Sequence, residues 1–183
     1  MQMKIPRARI LRGFTLVEIL VVVIILGIAG AIIVPSLGSR DDLKAAAAAR
    51  VIMADLIYTQ NLAITSQGNR YMAFSVPQQQ YSVTDSAGGV IQHPVNHVAY
   101  IQKFGGASQS SLPDLKLIST TFTGVSGVSQ TTIGFDELGT PLTCNPLGVT
   151  ETLSTGSILI QAGKYKLKVD IEPYTGQISV NPG

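Results

Sequence analysis

From Phe14 to Val34 the chain is apolar or small at every position except Thr15 and Glu18, and the charged residues ahead of that run, Lys4, Arg7, Arg9 and Arg12, are all basic. At about 1.5 Å of rise per residue, such a run forms a helix of roughly 31 Å, close to the hydrocarbon thickness of a bilayer. The helix is expected to continue past Pro35, which removes one hydrogen bond and bends it. Gly27, Gly30 and Gly38 are either further weak points or places where helices pack closely. Beyond them, Leu43, Ala47, Val51, Ala54, Tyr58 and Leu62 recur at helical spacing. That predicts an amphipathic helix through Ala45–Ala49 and on to Gln67, with Gly68 as its stop.

After Gly68 the pattern shortens to that of strands. Arg70–Val76 and Gln80–Thr84 read as a hairpin across Pro77-Gln78-Gln79. Further strands are expected at Val98–Phe104, Leu115–Phe122, Thr131–Phe135, Ser157–Gln161, Tyr165–Glu172 and Gln177–Val180. The stretches Asp85–Asn96, Gly105–Pro113, Thr123–Gln130 and Asp136–Thr155 read as loops. A long helix followed by a run of strands predicts an α+β fold, with the helix packed against an antiparallel β-sheet domain.

Glu18 is the position that needs explaining. An ionisable group inside a membrane run costs about 2.5–3.5 kcal/mol or more, so it implies a function. Three readings of the segment compete. A cleaved signal peptide suits the basic start and Ala29-Gly30-Ala31, but its apolar core would be only about 7–15 residues and free of acid. A plain signal anchor explains orientation, basic end in the cytoplasm, but not the Gly13-Phe14 junction. The third reading rests on Gly13-Phe14-Thr15-Leu16-Val17-Glu18-Ile19-Leu20, which resembles the prepilin cleavage and methylation motif of type IV pilins and type II secretion pseudopilins. Pro35 also falls where these families place a helix-kinking proline.

The resemblance implies cleavage after Gly13 by a prepilin peptidase and methylation of the new amino terminus at Phe14. It pairs Glu18 with the Phe14 amino group of a neighbouring subunit. A buried charge is tolerable only when compensated, so Glu18 would favour assembly and fix axial register. The chain then divides into a leader (1–13), a transmembrane helix segment (14–37), an amphipathic continuation (38–68) and a β-rich periplasmic domain (69–183). Removing the leader takes four of the 13 basic residues, leaving nine against 11 acids, so the pI of about 8.7 belongs to the precursor. Nothing in the mature charge calls for nucleic acid.

Three later segments are similar to the GspH/FimT type of minor pseudopilin: Tyr58–Gln67 at a helix end, Ile133-Gly134-Phe135-Asp136-Glu137-Leu138-Gly139-Thr140-Pro141 as a strand and turn, and Val169–Ile178 as a closing hairpin. The resemblance implies a structural minor pseudopilin of a type II secretion pseudopilus. Its partners would be other pilin-like subunits, the prepilin peptidase, an inner-membrane assembly platform with its ATPase, and membrane lipid. A tip subunit lacking the carboxylate does not fit Glu18. The implied place is the inner membrane, single-pass, N-terminus cytoplasmic, and then the periplasmic filament. Two alternatives stand beside it: a FimT-like minor pilin binding DNA for uptake, and a signal-anchored periplasmic enzyme.

The remaining chemistry is sparse. There is no GxSxG, HExxH, P-loop or Cys-x-x-Cys, so no enzyme, cofactor or metal is expected. Charged residues are only 13% and Cys144 is the single cysteine, which excludes an intramolecular disulfide and reads as a small, partly buried hydrophobe. His93 and His97, four apart around Pro94, read as exposed loop residues sooner than metal ligands. Asp136 and Glu137 read as a solvated turn, with calcium the residual reading. Lys164, Lys166 and Lys168 alternate. In a strand they share one face, either as a weak, salt-sensitive phosphate-contacting row or as a solvated face with Tyr165, Leu167 and Val169 toward the core.

Overall fold

Two helices precede eleven strands in a computed structural model of the chain, which describes residues 14–36, 41–105, 111–112, 115–145 and 147–183. The elements are α1 (Leu16–Ser36), α2 (Asp41–Ser66), β1 (Arg70–Ser75), β2 (Gln80–Thr84), β3 (Ile101–Phe104), β4 (Ser111–Leu112), β5 (Leu115–Gly124), β6 (Ser129–Gln130), β7 (Thr132–Phe135), β8 (Pro141–Cys144), β9 (Thr150–Ala162), β10 (Tyr165–Ile171) and β11 (Ile178–Pro182). They fall into two units, Met1–Ser39 and Arg40–Gly183. The leader, Gly13, Gly38 and the expected join between the helices lie outside the described residues.

In the second unit the strand order is β11-β10-β9-β8-β7-β1-β2-β3-β4, with β5 paired to β9 and β6. Every pairing is antiparallel except β3 with β4. The long β9 joins two layers of pairing. Its first residues pair with β8, and its stretch from Gly156 to Ala162 lies between β5 and β10. The α+β expectation therefore holds, and it is α2 that packs on the sheet, against β1, β7, β9 and β10.

Helix α2 begins with Asp41 and Asp42, acids that suit the positive end of the helix dipole, and runs into five alanines of high helical propensity. Its end differs from the expectation. Gly68 N–H donates to the Ala63 carbonyl at 3.1 Å and Gln67 N–H to Ile64 at 3.4 Å, the paired bonds of a Schellman cap. The left-handed residue is Gln67, at φ 48°, not Gly68. The Gln67 side chain compensates by donating to the Ile64 carbonyl at 2.9 Å.

The buried face of α2 is also turned from the expected stripe. Ala45, Ala48, Ala49, Ile52, Leu56, Thr59 and Ala63 are buried, while Leu43 is 60% exposed and Ala54 is exposed. One residue of offset is about 100° of rotation. Alanines on several faces leave periodicity ambiguous, and the large pair Ile52 and Leu56 selects the face. They share one buried cluster with Met72, Phe74, Tyr81, Phe122, Phe135, Ile158 and Ile160. Among the described residues, every buried core residue lies between Ala45 and Ile171, so this core belongs to the Arg40–Gly183 unit alone.

On the opposite face of the sheet, Tyr71 of β1 lies across Gly134 of β7. A Cβ at Gly134 would strike the Tyr71 ring and come within 2.8 Å of the Arg70 carbonyl oxygen. Gly134→Ala is therefore expected to cost about 1–3 kcal/mol in thermal or denaturant unfolding. Adding Tyr71→Ala should recover the ring's share in a double-mutant cycle; strictly additive losses would show that the ring is not the obstacle.

Candidate functional site

Helix α1 starts on a cap. Thr15 Oγ1 accepts the Glu18 N–H at 3.2 Å, and the Thr15 carbonyl accepts the Ile19 N–H at 3.2 Å. Thr-x-x-Glu is the spacing of a capping box, with the acid in the first turn where the helix dipole favours it. Thr15 is thus more than a polar interruption of the apolar run, and Ser/Thr-x-x-Asp/Glu ahead of such a run carries this signal. Phe14 is 74% exposed and Glu18 is exposed. Pro35 lies within the last turn of α1, which ends at Ser36. Gly27 and Gly30 have nothing within 4 Å of a Cβ position. Among the residues whose side chains are described, which in α1 end at Ala31, no helix is long and apolar enough to cross a membrane.

The three lysines do not form one row. Lys164 lies in the Gly163-Lys164 turn, outside β10. Lys168 pairs with Asp170 at 2.9 Å. Partial burial pushes the Asp170 carboxyl up, but hydrogen bonds from Lys168 and Asn181 and the Lys168 charge outweigh it and hold the group below its ordinary range. Lys166 instead aligns with Gln161 of β9, and Gln161 with Lys116 of β5. Val169 is buried as expected, whereas Tyr165 is 54% exposed because it sits at the strand's end.

His93 departs from the expectation of an exposed loop residue. Its ring is half-buried, edge-on to Tyr100 at 4.4 Å, and its Nδ1 accepts the Val95 N–H at 3.2 Å. His97 is exposed, at φ 54°. Among the described residues no cluster of His, Cys, Asp or Glu could hold a metal ion. Cys144 is half-buried, and burial pushes its thiol up.

Tyr100 leads to a polar centre that the sequence reading missed. Asp55 of α2 accepts the Tyr81 hydroxyl at 2.5 Å and the Tyr100 hydroxyl at 2.9 Å. Tyr58 stacks obliquely on Tyr100 at 5.7 Å. Burial raises the Asp55 carboxyl above its ordinary value; the two hydroxyls and the His93 charge pull it down without cancelling that rise. The same burial, then the Asp55 charge, drives both tyrosines upward. The only hint in the sequence was an acid on an otherwise apolar helix turn.

The acids at Asp136 and Glu137 do different things. Asp136 Oδ1 accepts the N–H groups of Leu138 and Thr140 at 2.9 and 2.7 Å, closing a hairpin loop whose Gly139 stands at φ 82°. Glu137 is exposed. Gln60 of α2 ties this loop down by donating from Nε2 to the Gly139 carbonyl at 2.8 Å.

Residues 11–34 match the family described as the prokaryotic N-terminal methylation motif. The chain thus carries a methylation-motif N terminus ahead of a helix packed on a curled antiparallel sheet. Among solved structures, it resembles the minor pseudopilin EpsH from the type 2 secretion system of Vibrio cholerae at 12% identity and a TM-score of 0.48, covering 76% of this chain and 97% of that one. It also resembles the type IV minor pilin FimU of Pseudomonas aeruginosa at 19% identity and a TM-score of 0.43, covering 77% and 90%. No curated protein matches the sequence.

Asp55 gives the fold a pH dependence of definite sign. With its folded pKa raised above the unfolded one, its contribution is fully present below the ordinary aspartate range and lost as pH rises through the folded pKa. The Asp55 contribution, read as the difference in unfolding free energy between wild type and Asp55→Asn, should therefore fall as pH rises from about 4, so the pH slope of wild type should be the more negative of the two. An unchanged slope would remove Asp55 as its source. Tyr81→Phe, which deletes one donor to the carboxylate, should cost about 1.5–3 kcal/mol.

Proposed function

We propose that the chain is a structural, non-catalytic pilin-like subunit: a minor pseudopilin of a type II secretion pseudopilus, anchored in the inner membrane before it enters the filament. The observation that carries the reading is the N-terminal methylation motif over residues 11–34. It supports cleavage between Gly13 and Phe14, and methylation of the Phe14 amine. The placement of Glu18 one helical turn into an otherwise apolar segment supports its role as the assembly contact. Helix α1 has 21 residues, a rise of about 31 Å that suits a single span, with the basic leader on the cytoplasmic side and the Arg40–Gly183 unit in the periplasm. Pro35, in the last turn of that helix, is the proposed helix-kinking proline.

In this reading Glu18 is costly in an isolated subunit and is relieved when a neighbour's Phe14 amine approaches it. Removing one partner of such a pair leaves the other stranded, at about 3–5 kcal/mol. The partners are other pilin-like subunits, the prepilin peptidase and the assembly platform. Secretion is favoured over DNA uptake because Lys168 is neutralised by Asp170 and Lys164 lies off the strand face, which leaves Lys166 as the row's one unpaired strand lysine.

Mass spectrometry of the mature protein should find N-methyl-Phe at position 14; any other N terminus sinks the proposal. Glu18→Ala should insert into the membrane as well as wild type or better, yet assemble poorly, as read by filament yield and by secretion from the reconstituted system. Wild-type assembly by that variant would exclude the inter-subunit salt bridge while leaving the processing reading intact.

A further inference from the structure

The chain between β2 and β3 folds back on itself as a short arm. Thr84 bridges to Val90 and Gln92 to Ala99, the Tyr100 N–H donates to the Ile91 carbonyl at 2.8 Å, and the His93 N–H donates to the Val98 carbonyl at 2.8 Å. At the tip, residues 94–97, the backbone has few partners. Pro94 has no N–H to give. The Val95 N–H donates to Nδ1 of His93 at 3.2 Å, and the His97 N–H donates to the His93 carbonyl at 3.0 Å. His97 itself stands at φ 54°, a left-handed conformation at a residue with a Cβ. Val95 is 80% exposed, so packing contributes little to hold it.

The same histidine ring is fixed on its other side. It meets the ring of Tyr100 edge-on at 4.4 Å, and Tyr100 is buried and tied through its hydroxyl to Asp55 of α2 at 2.9 Å. His93 thus joins a firmly held polar centre to a lightly held tip. A ring nitrogen that accepts an N–H must be bare, so the bond from Val95 requires the neutral ring with its hydrogen on Nε2. Protonation places a donor on Nδ1, facing the Val95 donor, and the bond is lost. The charged ring is at the same time attracted to the Asp55 carboxylate, one of the causes that pull that carboxyl down against its burial. The titratable groups of the centre are Asp55 and Tyr58 from α2, Tyr81 from β2 and Tyr100 ahead of β3. None of them is a cation. Burial and the Asp55 charge drive Tyr81 and Tyr100 upward, so those two stay neutral in mildly acidic and neutral solution.

We propose that His93 is a pH-sensitive latch on the tip of this arm: the neutral ring fastens Val95, and the protonated ring releases residues 94–97 while remaining docked on Tyr100. The base of the hairpin does not take part, because its bonds, from His93 to Val98 and from Tyr100 to Ile91, join backbone groups that carry no titratable proton. The change is therefore confined to how the tip presents Val95. In neutral solution that side chain has one fixed presentation; in mildly acidic solution, where histidine takes up its proton, it has several. The latch does not depend on the filament reading, because none of its residues lies in the N-terminal segment.

Nitrogen-15 NMR of the full-length chain in detergent micelles tests this. At about pH 8 the His93 ring should carry its hydrogen on Nε2, with Nδ1 bare. Between about pH 8 and pH 5 the ring nitrogens and the Val95 amide should shift in one common titration. Protection of the Val95 amide, corrected for intrinsic exchange, should fall by about threefold or more, the loss of one modest hydrogen bond. The ring contact between His93 and Tyr100 should persist throughout. His93→Phe keeps an edge against Tyr100 but offers neither acceptor nor proton, so its Val95 amide should be unprotected at both ends of the range and show no step. Asp55→Asn and His97→Ala should each retain the step. A neutral ring with its hydrogen on Nδ1, a Val95 amide whose protection is the same at both ends, a step that survives His93→Phe, or one that vanishes in Asp55→Asn or His97→Ala would each overturn the proposal. None of these results bears on processing at Phe14.

Discussion

The close seating of α2 on the sheet is the contact on which the rest of the Arg40–Gly183 unit depends. Ala45, Ala48 and Ala49 contribute little apolar area, but they let the helix backbone approach the strands. Ile52 and Leu56 then supply the area, about 1.5–3 kcal/mol for each fully buried side chain. The same approach brings Asp55, whose side chain is short, within reach of the Tyr81 and Tyr100 hydroxyls. A carboxylate so placed is expensive to desolvate. Two hydroxyl donors offset part of that, and they do so only at one rotation and one height of the helix. The apolar face brings the layers together; the polar tie selects their alignment.

The loops that carry the outer surface use one local solution repeatedly. Asp85, Asp136 and Asn145 each accept two N–H groups from the following residues, and Gly88, Gly139 and Gly148 each stand at φ 82° three positions later. The β5–β6 connection has the same backbone bonds, from Gly124 to Val128 and from Gly127 to Gly124, but no such side chain at its first position. Glu151 of β9 supplies the missing oxygen, accepting the Ser126 hydroxyl at 2.7 Å and its N–H at 3.1 Å. Those two bonds hold the Glu151 carboxyl below its ordinary value. The carboxylate fills the space that a side chain on residue 124 would need, which is why a glycine stands there.

What could be read from the sequence followed how strongly one force dominated each segment. Strands with alternating large side chains, such as Arg70–Ser75 and Tyr165–Ile171, lie within a residue of where the pattern places them. The loop expected over Asp136–Thr155 instead holds strand β8 and the first half of β9. Pro141 opens one, and Thr150–Gly156 contains a single large apolar residue, Leu153. Their pairing comes from neighbours across the sheet, which no local pattern records. The buried face of α2 was misplaced for a related reason: many alanines offer several faces, and the sheet chooses. The lysine row was a strand argument applied one residue beyond the strand. The Asp55 centre joins residues 26 and 45 positions apart along the chain, so its members look unrelated until the fold unites them.

The two units make different physical demands. The Arg40–Gly183 unit satisfies its own core, and what it leaves uncovered is local: single apolar side chains such as Val95 and Leu138, and a few charges. Helix α1 leaves large apolar side chains exposed from Leu16 to Ile28. A helix apolar on all sides is stable only when something apolar surrounds it. Lipid can do that and so can other helices, and dispersion alone separates the two environments weakly, because lipid tails are as apolar as leucine. The single carboxylate breaks the tie. On the reading proposed above, Glu18 would have no compensating charge in lipid, whereas a protein neighbour could provide one, so the residue that would make a membrane anchor less comfortable is the one that would favour assembly.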